Sequence, residues 1–394
     1  MLPISDALTE VLSRARQLGT ERVPLASALD RVLREDVRAD LDSPPFNASA
    51  MDGYALRAAE AGQPLQLVGT SAAGAAFTGH IGAGECIRIF TGAPVPADAD
   101  RVVKQEDTIR DGDTVRLTCT LSGRDHIRLR GENRRAGEIV IPTGTLLGAP
   151  ELAALASVGV TQPLVTRRAR CVHLVTGDEL VTPDQTPTGA QIRDSNSTLV
   201  AHLLARHGAE LVGHAHVRDD LADARTTLAQ QPAHDILLLS GGASVGDLDL
   251  SRPLLTGLGF TLHFQQINLR PGKPLVFASR GEQLAFVFPG NPVSHWVTFH
   301  LFLVPLLHKL ATGLDSAPVR LRGRIAANSP VPPPDARQTI WPARVSIVDG
   351  EHRLTLLPLA SSGDSSGLVG ANALLPLPAN GLDPAQPVEF IVCG

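Results

Sequence analysis

The sequence predicts a multidomain protein of mixed α/β and β class. Strand-like and helix-like segments alternate between about residues 169 and 314, which is typical of a parallel sheet covered by helices. Short strands between glycine-rich turns occupy a second stretch before that region, and a third stretch after it is also strand-like. Because the 394 residues exceed the size at which a single hydrophobic core stops growing, several domains are expected.

The N-terminal part combines helices with an inserted β-rich segment. Apolar residues recur at helical spacing from 7 to 18, with Ser5 as a suitable N-cap and Gly19 as the expected stop. From 43 to 137 the pattern changes to short strands, for example around Ile87 and Ile89. The helical pattern resumes at 151–158, so we expect a small β domain inserted into a helical linker domain.

The alternating region contains three apolar runs that we predict to be buried strands, at 171–175, 236–239 and 284–288. Leu199, Val200, Leu203 and Leu204 mark the inner face of a helix between the first two runs. In such sheets ligands bind outside the carboxyl ends of the strands. The segments 176–179, 240–246 and 289–294 are therefore expected to share one rim.

The last part of the chain is proline-rich at 330–334 and then strand-like at 343–348, 353–357 and 388–392. This pattern predicts a small C-terminal β-barrel. The predicted domains are a helical linker domain (1–42 with 138–168), an inserted β-rich domain (43–137), a central parallel α/β domain (169–318) and a C-terminal β-barrel (319–394).

Composition argues against several classes of protein. Aromatic residues make up only 4% of the chain and the formal net charge is -5, so neither stacking platforms nor a basic footprint for nucleic acid is expected. No apolar run is long enough to span a bilayer and the N-terminus lacks the apolar centre of a signal peptide. The four cysteines lack CxxC spacing, so we expect reduced thiols and a cytoplasmic protein with no membrane and no nucleic-acid partner.

Glycines directly follow the predicted strand at 236–239. Backbone amides at Gly241 and Gly242 could approach an anion closely, although a tight packing turn explains the pair equally well. Residues 242–246, which include Ser244, also match the nucleophile elbow of α/β-hydrolases. No acid and histidine loops follow in the required order, so an acyl-enzyme serine is not favoured.

Carboxylates and cations cluster at the same predicted rim. Hard oxygen ligands at the strand ends suit Mg²⁺, and we favour Glu179, Asp219 and Asp249 as metal ligands. Asp220 and Asp247 are better explained as helix N-caps. The loop 269–274 adds Arg270 and Lys273 around prolines, which favours an oxyanion or phosphate site beside the carboxylates.

Five separate loops occur in one order along the chain, at 51–55, 91–96, 176–180, 240–246 and 289–294. Together they resemble the molybdopterin molybdenumtransferase (MoeA) family and its relative, the gephyrin E domain. The resemblance implies a molybdopterin-binding-like α/β domain and a Mg²⁺-dependent transferase that inserts molybdate into adenylylated molybdopterin with release of AMP. It also implies a homodimer and transient contact with other molybdenum cofactor proteins.

The resemblance further assigns roles to particular residues. The loop carrying Asp52 is expected to reach the partner's α/β domain across the dimer interface. The implied catalytic residues are Asp52, Thr91, Glu179 and Asp249, and the implied metal ligands are Glu179, Asp219 and Asp249. The implied substrate-binding residues are Gly241, Gly242, Ser244, Arg270, Pro271, Lys273, Pro289, Asn291, Pro292, Ser294, Arg337 and Ser365.

The chain departs from the family pattern at three positions. Asn133 stands where a carboxylate is usual, Gln266 where lysine is frequent, and Arg270 replaces the first lysine of a Lys-Pro-Gly-Lys motif. Two alternatives therefore stay open: a nucleotide pyrophosphatase of the competence-damage type, and a carrier or scaffold that binds molybdopterin without turnover.

Overall fold

The computed structural model describes residues 1–121, 123, 125–241, 250–327, 329–333, 335–378, 382–383 and 386–393. These residues form two compact units, one of Met1–Glu21, Asp30–Val32 and Val165–Gly394, and another of Arg22–Leu29 and Leu33–Leu164. We call them the α/β-barrel unit and the insert unit. The four predicted domain boundaries are not decided by this division and stay a prediction.

The first half of the chain contains two helices and short strands. In chain order they are α1 (Ile4–Ser13), β1 (Thr20–Arg22), β2 (Val37–Arg38), β3 (Ala48–Ser49), β4 (Gly53–Leu56), β5 (Leu65–Ser71), β6 (Glu85–Ile89), β7 (Arg101–Lys104), β8 (Thr108–Asp111), β9 (Thr114–Leu117), β10 (Ile127–Arg128), β11 (Ile139–Ile141), α2 (Ala149–Ser157) and β12 (Leu164–Thr166).

The second half alternates strands and helices before it becomes all-β. Its elements are β13 (Arg170–Thr176), β14 (Leu180–Val181), β15 (Ile192–Arg193), α3 (Asn196–Arg206), β16 (Glu210–Val217), α4 (Leu221–Ala229), β17 (Ile236–Ser240), α5 (Ser251–Gly257), β18 (Thr261–Phe264), β19 (Leu269–Arg270), β20 (Val276–Arg280), β21 (Gln283–Phe288), α6 (Pro292–Thr298), a π-helical stretch (Phe299–Leu303), α7 (Val304–Thr312), β22 (Arg320–Ile325), β23 (Gln338–Val348), β24 (Glu351–Leu356), β25 (Ala373–Leu377) and β26 (Val388–Val392).

The insert unit is built on a six-stranded sheet in the order β7-β4-β6-β5-β9-β8. Alternate residues of β4 and β6 enter apolar clusters on the two sheet faces. Gly53 at the start of β4 is required by packing, because an added Cβ would lie 1.8 Å from the Val103 carbonyl oxygen of β7. The predicted β-rich insert is therefore confirmed.

The α/β-barrel unit contains a six-stranded sheet in the order β16-β13-β17-β21-β20-β18. The first four strands are parallel, as predicted, whereas β20 and β18 run antiparallel to their neighbours. The predicted parallel sheet is confirmed, and β20 and β18 extend it with an antiparallel edge. Only Gly281 and Glu282 join β20 to β21, and such a short connection can form a hairpin but not a parallel crossover.

Helices cover both faces of this sheet. Buried side chains of α1, α3, α6 and α7 share one apolar cluster, and those of α4 and α5 share the cluster on the other face. All five residues of β17 are buried, as expected for a central strand with both faces covered. None of the described helices combines the length and apolar character that crossing a membrane requires.

The first helix is shorter than its apolar pattern predicts. It ends at Ser13 instead of Leu18, and Pro3 takes the N-cap position that we expected Ser5 to occupy. Beyond the helix, the Leu18 amide donates to the Leu310 carbonyl oxygen of α7 at 2.8 Å. A hydrogen bond to a neighbouring helix thus replaces the helical bond that local periodicity suggested.

The C-terminal strands close into a barrel. The order β23-β24-β22-β26-β25 is completed by a further pairing between β25 and β23, and β19 adds to the outside of β23. Leu354, Leu356, Leu375 and Phe390 fill the interior. The predicted C-terminal β-barrel is confirmed.

Candidate functional site

The carboxyl ends of β13, β17 and β21 lie side by side. Val175 pairs with Ser240, and Ser240 pairs with Phe288 in parallel register. The loops that follow the three strands therefore begin at one edge of the sheet, as the sequence predicted. The predicted residues Gly242, Ser244, Asp247 and Asp249 lie outside the described residues, and Gly241 is the last described residue of its loop.

Two glycines bring the backbone of this rim close together. Gly241 has φ +92°, and a Cβ there would lie 2.5 Å from the Thr176 carbonyl oxygen and 2.9 Å from Thr176 Oγ1. Gly177 has φ +146°, and its Cβ would lie 2.7 Å from a carboxylate oxygen of Glu179. Any other residue would be strained at both φ values, and at Gly241 its Cβ would also clash with the Thr176 backbone.

A cavity of about 310 Å³ opens beside these glycines, and we call it the rim cavity. It is lined by Val175, Thr176, Glu179, Leu180, Ile192, Arg193, Asp194, Ser195, Asn196, Ser240, Gly241, Gly290, Asn291, Pro292, Gly363 and Ser365. Five of the predicted site residues therefore line this one cavity: Glu179, Gly241, Asn291, Pro292 and Ser365.

Three oxygen-bearing groups of the rim cavity have no side-chain partner among the described residues. The buried atoms Thr176 Oγ1 and Asn196 Oδ1 have no hydrogen-bond partner in the described part of the chain. The Glu179 side chain is exposed and forms no ion pair within the same part. Asp194 is already occupied, since its carboxylate accepts from the amide and the hydroxyl of Ser197.

The remaining predicted metal ligand, Asp219, does not line the rim cavity. Its amide donates to Asp178 Oδ1 at 3.3 Å, so the ends of β16 and β13 do meet. The described residues contain no cluster of three His, Cys, Asp or Glu side chains able to hold a metal. Asp220 caps α4 by accepting from the Asp223 amide at 2.8 Å, which confirms the cap expectation.

The oxygen donors in the rim cavity nevertheless suit Mg²⁺. This ion is usually held by one or two carboxylates together with substrate phosphates, so a complete protein cage is not needed. The Glu179 carboxylate supplies the charge, and the buried, unpartnered Thr176 hydroxyl and Asn196 amide oxygen supply neutral ligands. Such a site would be completed by an anionic ligand.

A second cavity, of about 610 Å³, lies in the same unit, and we call it the basic cavity. Its lining includes the predicted residues Arg270, Pro271, Lys273, Pro289, Asn291, Ser294 and Arg337, together with Trp341 and the proline-rich segment 330–333. Three cations thus face one space, which can attract an anion by charge alone.

Two of these cations share an internal counter-ion. Asp335 lies 3.3 Å from Arg270 Nη1 and 2.9 Å from Arg337 Nε. Hydrogen bonds from Arg337, with the charge of Arg270, hold the pKa of the Asp335 carboxyl well below its usual range. Lys273 has no ion-pair partner among the described residues, so it is the cation most open to an incoming anion.

The loop at 289–294 joins the two cavities. Asn291 lines both of them, and its Nδ2 donates to Ser362 Oγ at 2.8 Å. Asn196 Nδ2 holds the same loop by donating to the Gly290 carbonyl oxygen at 2.6 Å. A ligand with two anionic parts could therefore contact both cavities around Asn291.

Two predicted catalytic residues lie in the insert unit. The Asp52 carboxylate accepts from the amide and from the hydroxyl of Thr91, both at 2.7 Å. These bonds, with the charge of Arg88, lower the pKa of Asp52. The structure thus brings Asp52 and Thr91 together on an exposed turn, held ionised and oriented.

Asn133, the first of the three departures named in the sequence, also lies in the insert unit. Its Oδ1 accepts from Arg128 Nη2 at 2.7 Å, while Arg128 Nε donates to Glu132 at 2.9 Å. One guanidinium therefore holds both side chains.

Comparison with known proteins decides the family. The model described as "MoeA N-terminal region (domain I and II)" matches residues 2–159, and that described as "Probable molybdopterin binding domain" matches residues 173–309. A molybdopterin molybdenumtransferase of Nostoc sp. is 36% identical over 378 residues, covering 92% of this chain and 86% of that protein. The chain belongs to the molybdopterin molybdenumtransferase family.

Further relatives agree. The molybdopterin molybdenumtransferase of Haemophilus influenzae is 33% identical over 315 residues, covering 79% of this chain and 78% of that protein. The crystal structure of a molybdopterin biosynthesis MoeA protein from Pyrococcus horikosii superimposes with a TM-score of 0.84 at 26% identity, covering 100% of this chain and 99% of that one. The predicted resemblance and the assignment to molybdenum cofactor biosynthesis are confirmed.

Sequence reasoning missed one group of polar residues in this molybdopterin molybdenumtransferase family member. His173 in β13, Ser240 at the end of β17 and His295 in α6 are buried, and Ser240 is hydrogen-bonded to both histidines. The available signal was a histidine inside the apolar run 171–175. The role of His173 could not be predicted, because its partner Ser240 and the second histidine, His295, are brought close to it only by folding.

Proposed function

We propose that the chain inserts molybdate into adenylylated molybdopterin and releases AMP in a magnesium-dependent reaction. The main support is the pair of adjoining cavities, one with an unpaired carboxylate and the other basic, which share Asn291. This arrangement suits a substrate that carries a pyrophosphate beside a second oxyanion. Family membership supplies the identity of the two anions.

In this proposal the basic cavity offsets the repulsion between molybdate and the pyrophosphate. Two anions held a few ångströms apart in a partly desolvated site repel strongly, so nearby cations lower the barrier to their approach. Lys273 binds an oxyanion directly, while Arg270 and Arg337 bind it in competition with Asp335. Ser294, which is 3% exposed and lines this cavity, offers a hydroxyl donor.

The rim cavity holds the phosphoanhydride in the same proposal. Gly241 has no side chain, so an anion can approach its backbone closely. Glu179, Thr176 and Asn196 would hold Mg²⁺, which would supply positive charge to offset that of the phosphates and of the departing AMP. We further propose Asp219 and Asp249 as ligands or orienting groups of this metal, on the strength of the family motif.

We also propose a homodimer in which Asp52 and Thr91 of one protomer complete the site of its partner. The support is the hydrogen-bonded Asp52–Thr91 pair on an exposed turn, which lies in the insert unit while both cavities lie in the α/β-barrel unit. Mixing inactive Asp52→Asn chains with inactive Glu179→Gln chains should restore part of the activity, because a mixed dimer contains one intact site. Restoration that fails despite demonstrated subunit exchange would rule out the shared site.

The central experiment measures AMP release from adenylylated molybdopterin, with and without molybdate and with and without Mg²⁺. Our proposal requires release that depends on both ions. A competence-damage-type pyrophosphatase would release AMP without molybdate, and a carrier would bind the substrate without releasing AMP. Tight binding of the substrate without AMP release would therefore rule out the proposed reaction but would support the assignment of the two cavities as the substrate-binding site.

A further inference from the structure

Three buried polar side chains from separate elements form one hydrogen-bonded chain beneath the rim. His173 Nε2 lies 2.6 Å from Ser240 Oγ, which in turn lies 2.7 Å from His295 Nε2. The exposed fractions of the three residues are 0%, 0% and 1%. Burying three polar groups among apolar side chains is unfavourable unless they are fully paired, so this chain calls for an explanation beyond packing.

The hydrogen-bond donors can be assigned from the acceptor at one end. His295 Nδ1 lies 3.2 Å from the Asn291 carbonyl oxygen, which can only accept, so Nδ1 carries the proton. Burial keeps the ring neutral by lowering the pKa of His295 to about 4, and its Nε2 is then an acceptor. Ser240 Oγ must donate to that nitrogen and accept from the Nε2–H of His173.

The other end of the chain agrees with this direction. His173 Nδ1 is buried and has no partner in the described residues, as expected for the unprotonated nitrogen of an Nε2–H tautomer. The ring is held from below by His214, which stacks on it at a centroid distance of 5.2 Å. His214 Nδ1 lies 3.1 Å from the His173 carbonyl oxygen.

The hydrogen-bonded side chains of His173, Ser240 and His295 connect the two loops that form the site. Ser240 directly precedes Gly241, whose backbone passes Thr176 too closely to admit a side chain. At the far end the chain reaches the backbone of Asn291, the residue shared by the rim cavity and the basic cavity. The two loops are therefore joined by two hydrogen bonds, Ser240 to His295 and His295 to Asn291, while His173 ties Ser240 to β13.

We propose that His173, Ser240 and His295 are positioning residues that fix Gly241 and Asn291 at the spacing the reaction needs. This inference rests on the proposed function. Ser240 borders the rim cavity but is fully buried, and His173 and His295 line neither cavity, so none of the three is expected to touch the substrate. Small displacements at a reacting site can cost about 100-fold in rate, so loss of the chain should reduce kcat more than substrate binding.

The test compares Ser240→Ala with Ser240→Thr in the full-length protein. Removing the hydroxyl leaves two imidazoles unbridged, and we expect kcat for AMP release to fall by about ten- to a hundred-fold with a smaller change in KM. Ser240→Thr retains the hydroxyl and should recover most of the rate. The matched control is Thr166→Val, which deletes a buried hydroxyl bonded to the Ala311 carbonyl oxygen, in a strand that does not line either cavity.

A second measurement is independent of turnover. Nitrogen NMR of ¹⁵N-histidine-labelled protein should show His173 as the Nε2–H tautomer and His295 as the Nδ1–H tautomer, and Ser240→Ala should shift the amide resonances of Gly241 and Asn291. The wild type could release no AMP and still show these tautomers and shifts. The proposed reaction would then be wrong, whereas the hydrogen-bonded link between Gly241 and Asn291 would be confirmed. If Ser240→Ala is insoluble, Ser240→Cys replaces it, because a thiol is only a weak hydrogen-bond donor and acceptor.

The inference is overturned by either of two results. One is a different tautomer at His295, which would reverse the assigned direction of the hydrogen bonds. The other is a kcat for Ser240→Ala equal to that of Thr166→Val, which would reduce the chain to ordinary core packing.

Discussion

The rim cavity and the basic cavity share one residue but hold their charges differently. In the basic cavity, two of the three cations are already bound to Asp335. In the rim cavity, the carboxylate of Glu179 has no ion-pair partner among the described residues, while Asp194 is fully used by Ser197. Glu179 can therefore interact with a ligand directly, whereas Arg270 and Arg337 are already partly neutralised by Asp335.

This difference shows why a count of charged residues overstates a site. An arginine already bound to a carboxylate must exchange that partner for the ligand, so the net gain is the difference between two similar interactions. An unpaired side chain such as Lys273 exchanges only water. We therefore expect Glu179 and Lys273 to dominate ligand handling, and Asp335 to weaken it.

The strongest test of this comparison is Glu179→Gln. Loss of the only uncompensated carboxylate lining the described part of the rim cavity should lower molybdate-dependent AMP release by at least about 100-fold. Glu179 is exposed, so the thermal midpoint should be unchanged. The exposed carboxylate variant Glu282→Gln serves as the control, and wild-type activity of Glu179→Gln would remove Glu179 from the metal site.

The second largest effect should be a loss of folding stability at low pH, caused by the buried His295. His295 has a pKa lowered from 6.5 to about 4 by burial. Between those values the unfolded chain binds a proton that the native protein does not, so the free energy of unfolding falls as pH falls, and it is independent of this group above pH 6.5. Lowering the pH from 7 to 5 should cost about 2 kcal/mol from this histidine.

Urea unfolding at both pH values measures that loss. Because His300 is also buried with a pKa lowered to about 4, the contribution of His295 is the difference between wild type and His295→Gln. Equal pH slopes for the two proteins would show that His295 is not held neutral by burial.

Lys273→Ala should have an intermediate effect. A charge-assisted hydrogen bond to an oxyanion contributes about 1.5 kcal/mol or more, so molybdate affinity is expected to fall about ten-fold. Calorimetric titration at constant ionic strength measures it, with Arg16→Ala as the control because that cation is 84% exposed and lies at another cavity. Unchanged affinity would mean that the basic cavity does not bind molybdate through Lys273.

Asp335→Asn should produce the smallest change, and in the opposite direction. Removing the internal counter-ion frees Arg270 and Arg337, so molybdate affinity should rise by about two- to five-fold. The gain should shrink as salt increases. Asp315→Asn, which alters an exposed carboxylate paired with Lys309, is the matched control. A fall in affinity would show that Asp335 orients the arginines instead of competing for them.

Much of the site could be predicted because its signals are local. The ends of the apolar runs located the rim, and the glycine and proline loops after them carried the family resemblance. The Asp220 cap was readable because its partner, Asp223, is three residues away. Strand closure into a C-terminal barrel was likewise indicated by short apolar segments of β-branched and aliphatic residues.

The sequence by itself determined the segments, the rim and the family, because periodicity and turn chemistry act between residues close in the chain. Only the tertiary structure decided which charges are free. Asp335 meets Arg270 across 65 positions, and Ser240 meets His173 and His295 across 67 and 55 positions. Such partners are chosen by strand register and helix packing, since hydrogen bonds and ion pairs form only within a few ångströms.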